Sequence, residues 1–295
     1  MKIVKSIIAT THIDLHGDML TKEALDDGVE QLKNKYIPVI WNHDIRYPPF
    51  GRVVSGEVIK LPDGHFALEA NCEIFEESDS IDILTGDSRE IPLHYTETPT
   101  FTIQFDRTFM DEDGQLLIQQ LRELSGVEEK PVEFVKKALE PIQVLLIASG
   151  VYIIGSIAKG FLSKLGSDIY EKIRDALIRY YRKKKTPDSI LDFCFYVNDN
   201  GKQVEVHVLV SNPMDDTVAE LLDSQFAQLD RLLASLPLKQ SEVSSIVLDY
   251  KNKNLSIRYA VRKDAVPLTF RRKGNADASD SQQLVCVLFP SPKCL

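Results

Sequence analysis

The sequence predicts an α+β protein: an N-terminal β-rich barrel carrying one helix, central apolar and amphipathic helices, and a C-terminal ββαββ sandwich. Three observations predict it. Residues 1–112 hold repeated short runs of β-branched and aromatic side chains broken by turn residues. Residues 141–158 run for 18 positions without a charge. Residues 187–270 place two strand pairs around one helical period.

Taken in order, KSIIATTHI, PVIWNH, GRVVSGEVIKL, HFALEANCEIF and TFTIQFDRTF read as strands. Between the first two, LTKEALDDGVEQLKNK reads as a helix. Thr21 is followed by Glu23 and Asp26, and Leu20, Ala24, Leu25, Val29 and Leu32 fall near one face. Pro62, Asp63 and Gly64 mark a hairpin turn. QLLIQQLRELS fits a strand or a helix. The apolar stretch 141–160 is expected to be a helix able to enter a membrane, with Ser156 and Gly160 in close-packing spacing. Burial of the same helix between two modules is the alternative. SDIYEKIRDALIRYYRKKK follows as an amphipathic helix, with Ile169, Ile173, Leu177 and Tyr180 or Tyr181 on one face and a basic run at its end. SILDFCFYV and QVEVHVLV flank the turn NDNGK, TVAELLDSQFAQLDRLLASL is helical, and SSIVLDY and LSIRYAV pair around KNKN. The predicted divisions are therefore 1–127, 128–186, 187–270 and a polar tail, 271–295.

Composition narrows the partners. The 295 residues carry a net charge of −9, with 27 acidic and 14 basic side chains in residues 1–140 but 4 and 9 in residues 141–190. That balance argues against nucleic acid and leaves a protein or peptide ligand, a membrane surface reached through 141–160, and a second copy of the chain as expected partners. Cys72, Cys194, Cys286 and Cys294 show no CxxC and no Cys/His pair at metal spacing, so free thiols in a reducing compartment are expected. The expected location is cytoplasmic, or the inner membrane with the C-terminal part on the cytoplasmic side.

His43 ends the apolar run IPVIW, a position that suits either a general base or the fastening of the Pro48–Pro49 loop. The alternating His12, Asp14, His16 and Asp18 would project from one face if extended and could hold zinc or manganese. Gly17 within the run argues for a solvated surface instead.

ATTHIDLHGDMLTKEAL followed by PVIWNHDIRYPPFGRVV, and then a hairpin leading to ALEANCEIFE, resembles the tailed-phage prohead (capsid maturation) protease family, related to the herpesvirus assemblin-type proteases. The matching residues are Asp14, Gly17 and Asp18, then Trp41, His43 and Asp44, then Gly51, Arg52 and Val53, and the resemblance covers about residues 5–127. It implies a serine-protease fold with His43 as base and no cofactor. The family's strand L-S-I-G-F corresponds to FTIQF, which puts Thr102 at the nucleophile and Gln104 at the glycine. Its L-x-E-V-S strand corresponds to LRELS, which makes Glu123 the orienting acid. Threonine's methyl group crowds the attack. The expectation is thus a protease-derived, catalytically degenerate, membrane-linked sensor or interaction protein of bacterial or prophage origin. An active serine/threonine-type endopeptidase or self-processing hydrolase is the alternative, and a metal-binding protein through His12, Asp14, His16 and Asp18 is a second.

Overall fold

The computed structural model describes residues 2–13, 19–41, 44–76, 89–91, 101–105, 111–125, 143–153, 167–184, 188–199, 202–234, 236, 242–271 and 283–285. Within them lie two sheets and five α-helices, a mixed α+β architecture. A closed protease-like barrel is not among its elements.

The first sheet has the order β1-β4-β3-β2, all antiparallel, from β1 (Lys2–Thr10), β2 (Ile37–Val39), β3 (Gly51–Lys60) and β4 (Phe66–Ile74). Helix α1 (Lys22–Leu32) starts where the Thr21 hydroxyl accepts a hydrogen bond from the Ala24 amide, 3.2 Å. Its Leu25 and Leu32 pack with Val53, Leu68, Ala70 and Cys72 as the core of this module. The β3–β4 turn sits where Pro62, Asp63 and Gly64 predict it, and Gly64 takes φ +93°, which an L side chain rarely adopts.

The second sheet runs in unbroken chain order: β5 (Phe101–Phe105), β6 (Gln143–Ile153), β7 (Ser189–Asp199), β8 (Lys202–Ser211), β9 (Val243–Lys251), β10 (Asn254–Arg262), β11 (Pro267–Arg271) and β12 (Gln283–Val285). The pairs β6–β7 and β8–β9 are parallel and the rest antiparallel. Each parallel pair is joined by a helical crossover, α3 (Ser167–Lys183) in the first case and α4 (Asp215–Glu220) in the second, the latter continuing through a π turn at 221–225 into α5 (Phe226–Ala234). Together with α2 (Glu112–Ser125), these helices bury one face of the sheet: Leu117, Leu121, Leu177, Tyr181, Leu229 and Leu233 join Phe193, Phe195, Val206 and Val208 in the largest core. The predicted ββαββ unit is β7, β8, the α4–α5 segment, β9 and β10.

The expected membrane helix is corrected. Residues 143–153 form β6, hydrogen-bonded to β5 on one side and β7 on the other, and among the described residues no helix is long and apolar enough to cross a membrane. A strand paired on both sides reads as the same unbroken apolar run that a membrane helix does. Gly150 is the extra residue where the β6–β7 register slips, and Ser156 and Gly160 lie outside the described residues. The basic end of α3 is also occupied, by Arg182 with Asp215, Lys183 with Asp113, and Lys184 with Asp111.

Candidate metal centre

Side chains alternate across a strand, so β7 and β8 each carry two sequences of side chains. Leu191, Phe193, Phe195 and Val197, with Val204, Val206, Val208 and Val210, face the helices. The opposite face receives Asp192, Cys194, Glu205 and His207, all buried: relative exposures are 1%, 0%, 4% and 5%. Both strands are internal to the sheet, so none of the set lies on a sheet edge.

The β7–β8 register fixes the cluster. Cys194 lies directly opposite His207, while Asp192 opposes Leu209 and Glu205 opposes Tyr196, so the two acids flank the Cys/His pair diagonally. The imidazole is held at both nitrogens: Nδ1 is 2.8 Å from Asp192 Oδ2 and Nε2 is 2.8 Å from Glu205 Oε1. The Cys194 thiol donates to Glu205 Oε1 at 3.6 Å, and its Sγ is 4.0 Å from His207 Nε2. Asp192 Oδ1 is buried with no hydrogen-bond partner among the described residues. Burial, the largest single effect, opposes a charged imidazole, but the adjacent Asp192 carboxylate and Cys194 sulfur together outweigh it and raise the His207 pKa well above the ordinary value. Burial also pushes the Cys194 thiol up, to about 12.

One chemistry this arrangement suggests is nucleophilic: thiol, imidazole and orienting carboxylate stand in triad order. Three facts oppose it. Glu205 occupies the nitrogen that a base would turn toward the thiol, the sulfur is fully buried, and a thiol pushed up to about 12 is not a thiolate at neutral pH.

The second chemistry is metal binding. Cys194 Sγ, Glu205 Oε1 and His207 Nε2 lie within 4.8 Å of one another. Tetrahedral zinc at its usual bond lengths separates such ligand atoms by roughly 3.4–3.6 Å. The separations of 3.6, 4.0 and 2.8 Å bracket that value, so the three atoms need only sub-ångström adjustments to bind one ion. Asp192 on Nδ1 completes the carboxylate–histidine pairing that orients zinc-bound imidazoles. No fourth Cys, His, Asp or Glu joins the group among the described residues.

The sequence-predicted site residues fall elsewhere. His43 lies outside the described residues, as do Asp14, His16 and Asp18. His12 is partly exposed, with Nε2 2.6 Å from Asp63 Oδ2 and its ring 4.2 Å from that of His65. Thr102 sits in β5, opposite Ala148, in the second sheet and not the first. Glu123 is exposed on helix α2, where it accepts a hydrogen bond from Gln119, so LRELS is helical and not a family-type strand. Cys72 is a free buried thiol, as is Cys194.

The cluster escapes a search for ligand spacing because its two halves, on β7 and β8, meet only across a hairpin. The available signal was polar residues at every second position, D-x-C and E-x-H, inside two otherwise apolar strands on either side of a predicted turn.

Fold and site together define an α+β protein with a buried Cys/His/carboxylate cluster on the face of its larger sheet opposite the described helices. No family model, curated protein or solved structure matches the chain. The expected phage and protease affiliation therefore has no support and is not retained.

Proposed function

We propose that this chain is a metal-binding protein whose centre takes one divalent ion of the zinc class through Cys194, Glu205 and His207, with Asp192 orienting the imidazole. The observation that carries the reading is the convergence of a soft sulfur, an imidazole nitrogen and a carboxylate oxygen at ligand separation, beside an acid whose second oxygen has no partner among the described residues. The thiolate donor favours zinc over magnesium or calcium, which prefer oxygen ligands. Because every ligand is buried, the ion would hold the sheet face together and would not meet substrate. This is a binding and structural role, not a hydrolytic one.

The test is metal loading of the purified protein, read by mass spectrometry under native conditions and by the visible spectrum after cobalt substitution. One ion per chain, with a sulfur-to-cobalt charge-transfer band that disappears in Cys194→Ser, is the expected result. A protein that takes up no zinc or cobalt, or keeps the full band in Cys194→Ser, overturns the assignment.

A further inference from the structure

On the face that bears the proposed ligands, Leu209 stands two residues from His207 and Ile190 two residues from Asp192. They cluster with Val247, Tyr259 and Val261, and Ile45 and Ile91 pack on this patch from the chain segments of the first module. The contact at Ile45 is specific: the hydroxyl of Tyr259, a residue only 1% exposed, donates to the Ile45 carbonyl at 2.7 Å. Ile91 docks through its amide on the Lys263 carbonyl at 2.7 Å.

Ile45 belongs to a turn that holds its own shape. The Asp44 carboxylate accepts hydrogen bonds from the Arg46 amide at 2.9 Å and from the Arg46 guanidinium through Nε and Nη2, while the Tyr47 amide donates to the Asp44 carbonyl. At its base the Phe50 amide donates to the Val39 carbonyl, clamping the β2–β3 connection. A turn tied this way moves as a unit, and its tip is pinned to the second sheet by the Tyr259 hydroxyl.

We infer that the Asp44–Tyr47 turn closes the metal centre on the side of Asp192 and His207, since Val247 lies beside His207 and Tyr259 beside Val247, so that an ion enters or leaves when this turn lifts from β10. The inference rests on the metal-binding reading above. It makes ion exchange a local opening event: the release rate is the rate from the open state multiplied by the small fraction of molecules that are open. It also makes the coupling reciprocal, since an ion that binds the closed form better than the open one holds the turn down.

The experiment uses the full chain loaded with zinc and mixed with excess 4-(2-pyridylazo)resorcinol, which reports released ion by its colour. Tyr259→Phe removes one hydrogen bond of the closed state and is expected to speed release on the order of fivefold. Ile45→Ala, which leaves the sheet untouched, is expected to speed it similarly by loosening the packed seal. In a second reading, amide exchange of residues 44–50 slows on zinc loading. Release from both variants at the wild-type rate, or amide exchange at 44–50 indifferent to zinc, overturns the closure while leaving the centre intact. Wild-type protein that carries no zinc overturns the centre itself.

Discussion

At His207 two opposing effects meet in one ring. Burial disfavours its charge, while Asp192 and Cys194 favour it and together prevail. The folded-state pKa therefore lies above the value of about 6.5 expected in the unfolded chain. The protonated ring contributes its stabilisation in full below pH 6.5 and loses it as the pH rises through the folded value. Chelator-treated protein should accordingly melt at a lower temperature as the pH is raised above 6.5, and His207→Gln should flatten that decline; an equal decline in the variant would contradict the account. Asp192→Asn keeps the shape but weakens the orientation of the imidazole, and zinc affinity measured by competition should fall by about 10–100-fold. At this scale the sequence was least informative. Cys194 and His207 are thirteen positions apart, and only the strand register, which local propensity does not encode, makes them neighbours.

At the scale of elements, the sequence was legible wherever a period and a boundary signal coincided. Thr21 opens α1, Gly64 turns β3 into β4, and the Ile173, Leu177, Tyr180 and Tyr181 side of α3 is the buried side. It failed at β6, where an apolar run carries no period to separate strand from helix, and at Glu123, where a family-like pattern overrode the helical spacing of Leu117, Ile118 and Leu121. Two substitutions test the elements. Leu177 is fully buried on α3, and Leu177→Ala should cost about 2–5 kcal/mol in urea unfolding. At the start of β3, a Cβ on Gly51 would lie 2.5 Å from the Glu73 carbonyl oxygen. That neighbour is backbone and paired in register, so Gly51→Ala should destabilise the first sheet and lower the melting temperature. An unchanged melting curve would mean that β3 and β4 separate more easily than their pairing indicates.

Across the whole molecule, polar links join the two sheets among the described residues, the most buried of them at Arg52. Arg52 on β3 bonds Glu73 through Nε at 2.8 Å and the Asp264 carbonyl through Nη1 at 2.9 Å, and its guanidinium stacks 4.3 Å from the Tyr36 ring centre. Arg89 lies over the same ring at 4.4 Å and donates to the Val54 carbonyl. Lys263 pairs with Glu90 nearby. Removing a buried charge strands its partners, so Arg52→Ala should cost about 3 kcal/mol or more and split a single thermal transition into two. One transition in the variant would show that the apolar patch around Ile45 and Ile91 suffices to join the modules. Long-range links of this kind leave no trace in local patterning, and the sequence divisions reflect that: β5 and α2, expected in the first module, pair and pack with the second.

The uninterrupted order of the larger sheet bears on how the chain is made. Strand follows strand from β5 to β12 without an insertion, so each segment leaving the ribosome meets a waiting edge. Synthesis can extend the sheet one strand at a time, the parallel pairs β6–β7 and β8–β9 closing only after their helical crossovers have been made. The hairpin that holds Asp192, Cys194, Glu205 and His207 is completed by residue 211, before β9 has been translated. A nascent chain would thus display all four groups on a growing edge, open to an ion that the finished protein encloses.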